Sequence, residues 1–191
     1  MKFLNSYNIL DKIISFIRNY ELLKNKRLNG KSIIDFGCGS DFQAISKRYT
    51  ETSKAVLIDL YGDDFTKNHI KFINYNNNLN KIDIELKNEK FDIIILAAVI
   101  EHLDNPEVII KYLKKFLNEN GYFLLTAPSI YSKPILEFMA FKLNIINADL
   151  VREHKRYYNK HEYIDLAKKT ESNLINFKYF LLGMNTIAIL K

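Results

Sequence analysis

Ser32-Ile33-Ile34-Asp35-Phe36-Gly37-Cys38-Gly39-Ser40 is a short apolar run that ends in an acid and two glycines one residue apart. The run has the length and β-branched content of a buried strand, and the glycines mark the turn that closes it. Without a Cβ, the backbone at Gly37 and Gly39 can approach another molecule closely. A helix is expected next, over 42–49, and its free N–H groups would face the same spot. Strand, glycine turn and helix N-terminus together form a cradle for a nucleotide-type cofactor. Gly-x-Gly alone is equally compatible with an ordinary strand-to-helix turn, so the reading rests on what surrounds it.

Two further stretches agree with it. Ala55-Val56-Leu57-Ile58-Asp59 reads as a buried strand ending in an acid. Asp59 follows Asp35 at the interval expected of a ribose-binding acid on the next strand of an α/β sheet, although an acid there could also cap a helix. Phe91-Asp92-Ile93-Ile94-Ile95-Leu96-Ala97-Ala98-Val99-Ile100-Glu101-His102-Leu103 is an apolar strand that gives way to Glu-His, at the edge where open α/β sheets bind ligands.

The rest of the chain alternates in the same manner. Strands are expected at 32–36, 55–59, 70–75, 91–97 and 121–127, with helices at 42–49, 63–68 and 106–117 and a loop or short helix in the Asn-rich 76–90. That order predicts a doubly wound, mostly parallel α/β sheet with helices on both faces. Residues 7–24 read as an amphipathic helix with Ile9, Leu10, Ile13, Ile14 and Ile17 on one face, covering the sheet or roofing the cofactor pocket. Residues 130–146 read as a helix apolar nearly all round, suited to packing, to walling a substrate pocket, to a dimer face or to a membrane contact. Asn159 and Glu162 have capping-box spacing and open a helix to about Thr170. A closing hairpin, 176–182 and 185–190 about Gly183, makes the sheet mixed.

Composition narrows the class. The 191 residues suffice for a single domain, 1–191, with a leading helical segment (1–28) and a substrate-side insertion (129–158). Hydrophobic residues make up 48% and charged residues 26%, values of a globular chain. The longest apolar run is far too short to cross a bilayer, and the start of the chain lacks a signal-peptide pattern, so a cytoplasmic protein is expected. Cys38 is the single cysteine, which excludes an internal disulfide, and no cluster has metal-ligand spacing, so no metal is expected. The net charge of +6 is spread along the chain except at 24–27 and 152–156.

The ordered set Asp35-Phe-Gly37-Cys-Gly39, Ile58-Asp59, Phe91-Asp92 through Glu101-His102-Leu103, and Gly121-Tyr-Phe-Leu-Leu-Thr-Ala-Pro128 resembles class I S-adenosylmethionine (SAM) methyltransferases. It is most similar to their small-molecule branch (type 11/23-like), over roughly residues 30–191. The resemblance implies a seven-stranded sheet whose last strand is antiparallel, and SAM as cofactor. It implies that Gly37 and Gly39 approach the amino-acid and ribose part, that Cys38 between them is also cofactor-binding, and that Asp35 orients the turn or meets the ammonium group through water. Asp59 would accept both ribose hydroxyls, Asn78 would read the adenine amino group, and Leu60, Ala97, Ala98 and Val99 would lie beside the cofactor.

Methyl transfer from a sulfonium is an in-line displacement that needs alignment and a dry site rather than a covalent nucleophile. For proton removal the candidates are His102, after the fourth parallel strand, and His154, in a His-x-Arg-x-Tyr stretch that the resemblance places on the substrate side. A structural His102 bonded to backbone is the competing reading. Glu101, Arg152, Arg156 and Tyr157 are expected to shape the substrate pocket, the arginines clamping a phosphate or carboxylate. Two departures from the family pattern are Asp41, where a small residue is usual, and Asn78, where an Asp is usual. The activity implied is methylation of a hydroxyl, amine or carbon of a small sugar, lipid-linked or quinone-like metabolite, by a chain that could pair as a homodimer. An inactive scaffold with the same fold is the alternative. A nucleic-acid methyltransferase is disfavoured, because Ala-Val-Ile-Glu-His replaces the Asn/Asp-Pro-Pro-aromatic motif; nucleic acid is not expected as a partner.

Overall fold

The computed structural model describes residues 9–24, 28–39 and 49–191. Helix α1 (Ile9–Leu23) precedes the sheet. Five parallel strands form its centre: β1 (Ser32–Phe36), β2 (Lys54–Asp59), β4 (Ile70–Asn74), β5 (Phe91–Ala97) and β6 (Leu117–Pro128). Three antiparallel strands flank them: β3 (Phe65–Lys67) at one edge, β7 (Leu174–Phe180) and β8 (Asn185–Leu190) at the other. The spatial order is β3-β4-β2-β1-β5-β6-β8-β7. From β1 the chain winds outward through β2 to β4, then returns to the other side of β1 for β5 and β6. The switch point lies between β1 and β5, where such sheets leave a ligand crevice beyond their carboxyl ends.

The near-continuous apolar sequences of β1, β2 and β5 follow from burial on both faces. Ile33, Ile34, Val56, Leu57, Ile94 and Ile95 are completely buried. Each such side chain contributes about 2 kcal/mol through removal from water. One face carries Ile34, Val56, Ile94 and Phe123, packed against α2 (Leu79–Leu86), α3 (Pro106–Lys114) and α6 (Lys160–Lys169) through Ile82, Leu86, Ile110, Leu113 and Leu166. The other carries Ile33, Leu57, Ile95 and Leu124 with Leu28, Tyr49 and Phe180. Among the described residues no helix is long and apolar enough to cross a membrane.

Several expectations are realised closely. Asn159 and Glu162 form a complete capping box on α6, with His161 N–H donating to Asn159 Oδ1 at 2.7 Å and Asn159 N–H to Glu162 Oε2 at 2.8 Å. The closing hairpin forms, beginning at Leu174 rather than 176. The short helix allowed within 76–90 is α2, capped by Asn78.

Others differ. The expected helix at 63–68 is strand β3, which makes the sheet eight-stranded instead of seven-stranded. Phe65 pairs across the ladder with Phe72, the two rings stacked at 5.8 Å, and Asn68 takes the left-handed conformation that turns the chain between the strands. A helix of six residues is too short to outcompete that pairing. Helix α3 stops at Lys114 rather than 117, because Leu117 already pairs with Phe91 in the sheet. The apolar stretch 130–146 is not one helix. It comprises a 3-10 turn (Ile130–Ser132), α4 (Lys133–Phe141) and a loop in which Asn144 is left-handed, leading to α5 (Ala148–Arg152). Nor is it buried all round: Ala140, Ile146 and Val151 form a small core of their own, while Tyr131, Phe138 and Leu143 face outward. In α1, Ile14 and Ile17 are half-buried but Ile13 is exposed. The expected helix 42–49, apart from Tyr49, and Asp41 lie outside the described residues.

Gly37 is the tightest point of the framework. It has φ +75°, and a Cβ there would lie 2.4 Å from Val99 Cγ2. Gly39, at φ +84°, has nothing among the described residues within 4 Å of that position. Gly39→Ala is therefore expected to lose only the left-handed strain, about 1 kcal/mol, whereas Gly37→Ala adds overpacking of about 1–3 kcal/mol. Urea denaturation of the two variants checks the ranking; equal losses would show that Val99 yields freely.

Candidate functional site

The glycine turn is stitched to the end of β2. Gly37 N–H donates to Ile58 O at 2.8 Å, and Gly39 N–H donates to Asp59 Oδ2 at 2.7 Å. Asp59 Oδ1 also accepts the N–H groups of Leu60 (2.7 Å) and Tyr61 (3.3 Å). Three of the carboxylate's roughly four acceptor positions are thus filled by backbone. The carboxylate and Gly39 lie at the same edge, so an adenosyl group could approach Gly39 without meeting a side chain of the described residues and reach the acid. This arrangement fits the expected cofactor.

The other expected cofactor residues are placed as follows. Asp35 is buried on β1, paired in register with Leu57 and Ile95, and its Oδ2 accepts from the Tyr49 hydroxyl at 2.8 Å. Its visible task is to bind Tyr49 beneath the turn. Cys38 and Leu60 are half-buried against opposite faces of the sheet. Asn78 is exposed, and its Oδ1 accepts from Asn80 N–H at 3.1 Å as the cap of α2. Ala97 ends β5, and Ala98 has φ +58°, unusual for a residue with a Cβ. Ala98 N–H is held by Thr126 O and Oγ1, both at 3.1 Å. This sharp bend lays Val99 over Gly37 and turns the following residues inward.

Beyond the bend, Glu101 is 1% exposed and His102 is half-buried. The segment after α5 comes back across them. Lys155 N–H donates to Glu101 O at 2.8 Å, Arg156 to Asp104 O at 2.7 Å, and the Tyr158 hydroxyl to Ile100 O at 3.2 Å. His154 is thereby brought to His102, with ring centroids 4.9 Å apart. The nitrogens of His102 and His154 and a carboxylate oxygen of Glu101 all lie within 4.8 Å of one another, a grouping that could also hold a divalent cation. Sequence spacing had given no reason to expect one, because the third member is 52 residues away.

Burial raises the Glu101 carboxyl to about 7, opposed by a backbone hydrogen bond and by the charge of Arg18. Its Oε2 has no partner among the described residues. Burial also lowers His102, against a hydrogen bond to the Glu153 backbone. That bond uses one ring nitrogen and leaves Nδ1, buried and without a partner among the described residues, as the lone-pair nitrogen. His154 is lowered to about 4 by burial, by His102 and by Arg18. Both histidines are neutral near pH 7 and can accept a proton.

His154 also faces a cleft of about 400 Å³ between α4 and residues 151–157, which Arg152, Arg156 and Tyr157 line. The structure thus gathers the expected acid–base and substrate residues, with Glu101 and His102 behind His154. Two participants were not foreseen. Arg18 on α1 acts on all three titrating groups, and Lys133 on α4 lines the cleft. The apolar pattern of α1 concealed the first, and the insertion pointed only generally to the second.

A family model described as a methyltransferase domain matches residues 10–175. The chain is 31% identical over 139 residues to a ubiquinone biosynthesis O-methyltransferase of Glaesserella parasuis, covering 67% of this chain and 56% of that protein. It therefore spans little more than half of that relative's length. Its fold matches an S-adenosylmethionine-dependent methyltransferase from Mesorhizobium loti with a TM-score of 0.62 at 13% identity, covering 95% of this chain and 99% of the other. It also matches the Burkholderia thailandensis 1,6-didemethyltoxoflavin-N1-methyltransferase, solved with S-adenosylhomocysteine, with a TM-score of 0.61 at 10% identity over 94% and 76% of the two chains. A glycine turn joined to the acid of the next strand, a Glu-His pair after β5 and a family match over most of the sequence lead to one conclusion: the chain belongs to the methyltransferase-domain family and has the fold of the SAM-dependent methyltransferases.

Proposed function

We propose that this chain binds SAM and transfers its methyl group to a hydroxyl, amine or carbon of a small sugar, lipid-linked or quinone-like metabolite. The observation that carries the reading is the meeting of His102, His154 and the buried carboxyl of Glu101 just past the end of β5, the strand that neighbours β1 and its glycine turn. SAM supplies an electrophilic methyl on a sulfonium. The chain's own work is to hold it, to align the acceptor and to remove a proton.

Asp59 binds the ribose hydroxyls, which take the place of Gly39 N–H on Oδ2. The bend at Ala98 keeps Val99 against the turn and fixes one wall. His154, on the cleft side, accepts the acceptor's proton, and His102 Nδ1 with Glu101 lies behind it to share that proton. The names of the relative, a ubiquinone biosynthesis O-methyltransferase, and of the similarly folded 1,6-didemethyltoxoflavin-N1-methyltransferase make hydroxyls and nitrogens the first acceptor groups to try. One feature favours a binding protein that keeps the fold: the side chains of both Asp59 and Asn78 are already engaged by the chain itself.

Calorimetric titration with SAM and S-adenosylhomocysteine separates the two readings. Binding that weakens at least about tenfold in Asp59→Ala is expected, since a carboxylate taking two hydroxyls contributes about 1.5–3 kcal/mol. A flat titration of the parent chain would leave the binding-protein reading standing.

The buried carboxyl gives a second test. Glu101 titrates near 4.5 when unfolded and at about 7 when folded, so between those values the folded state holds the extra proton. Its stabilising contribution is full below about pH 4.5 and is lost as pH rises through 7, a change of about 3 kcal/mol. Glu101→Gln lacks this loss. Its stability advantage over the parent chain should grow by about that amount between pH 4.5 and about pH 8, read by urea denaturation. A constant difference would mean that the carboxyl ionises normally in the fold.

A further inference from the structure

We infer that the acceptor is a small anion, a ring compound carrying a phosphate or carboxylate, seated in the cleft between α4 and residues 151–157. The inference rests on the proposed methyl transfer and names its substrate class. A volume of about 400 Å³ suits a single small molecule. Four cations, Lys133, Arg152, Lys155 and Arg156, face the cleft against one carboxylate, Glu137. The acids outside that partner these cations are exposed: Asp149, beside Arg152 at 2.8 Å, and Asp104, beside Lys155, have side chains 67% and 79% accessible. Such solvated pairs orient the cations but cancel little of their attraction for a ligand inside. Lys133 pairs with no carboxylate among the described residues.

The cations are combined with flat apolar surface. The Arg152 guanidinium carbon lies 5.2 Å from the centre of the Phe141 ring, and the Lys133 ammonium 5.9 Å from that of Tyr157. A ring can therefore pack alongside these cation–aromatic pairs while its anionic substituent meets Lys133 and Arg152. His154 faces the same cleft, so a hydroxyl or amine elsewhere on the ring can turn toward it.

The test is an NMR titration of the full chain with phenyl phosphate, benzoate and phenol, alongside a separate calorimetric titration with S-adenosylhomocysteine. Phenyl phosphate or benzoate should bind about tenfold more tightly than phenol, shift the Tyr157 and His154 signals, and weaken as salt is raised. Which of the two anions binds better tells phosphate from carboxylate. Lys133→Gln and Arg152→Gln should each weaken anion binding severalfold and leave S-adenosylhomocysteine affinity unchanged. Equal binding of phenol and the anions, no binding of any of the three, or anion binding indifferent to both substitutions would overturn the inference. A flat S-adenosylhomocysteine titration would instead overturn the methyl-transfer reading alone, leaving an anion site with another task.

Discussion

Everything at the site hangs on the parallel register of β1 between β2 and β5. Asp35 lies level with Leu57 and with Ile95, so the three strands run out at one edge. Their last residues must then turn within the same small space. Gly37 does so against Val99, Gly39 against Asp59, and Ala98 by adopting a backbone conformation that costs a residue with a Cβ about 1–2 kcal/mol. Slippage by one residue would send Asp35 and its apolar neighbours to opposite faces and separate the turn from its acid. The completely buried Ile and Val side chains on both faces exclude that slip, so the core and the site are fixed by the same contacts.

The acid–base group illustrates how burial selects protonation. A carboxyl and two imidazoles in water would give one negative charge and part of a positive one. Packed together under the segment 153–158, they approach neutrality, because each charge would have to be held away from solvent. Arg18 reinforces this for the histidines and opposes it for Glu101. The outcome is a pair of lone-pair nitrogens beside a carboxyl that exchanges its proton near pH 7, with His154 also lining a cleft rich in lysine and arginine.

The sheet was legible in sequence because fully buried parallel strands leave long apolar runs, and β1, β2 and the end of β6 were each closed by a glycine, an acid or a proline. The capping box of α6 was equally plain. Strand β3 was not, since three residues carry no period and its pairing depends on Phe72, outside the segment. The stretch 130–146 misled for a related reason: its apolar residues serve a separate small core and an outward face at once, which sequence records as uniform hydrophobicity. At the site, the glycine turn and the Glu-His pair could be read directly. That His154 meets them depends on a chain reversal fixed by three hydrogen bonds, which only the folded chain reveals. The partnership of Asp35 with Tyr49, and of Asn78 with its own helix, was hidden for the same reason.

The small core of Ala140, Ile146 and Val151 stands apart from the two large clusters on the sheet. Substitutions on α4 and in the loop after it are therefore absorbed locally, without passing strain to the strands that carry the glycine turn. Natural variation can remodel the wall of the cleft while the glycine turn stays intact. Chains that share this framework can diverge in acceptor after very few mutations, and similarity concentrated in the strands is a poor guide to what any one of them modifies.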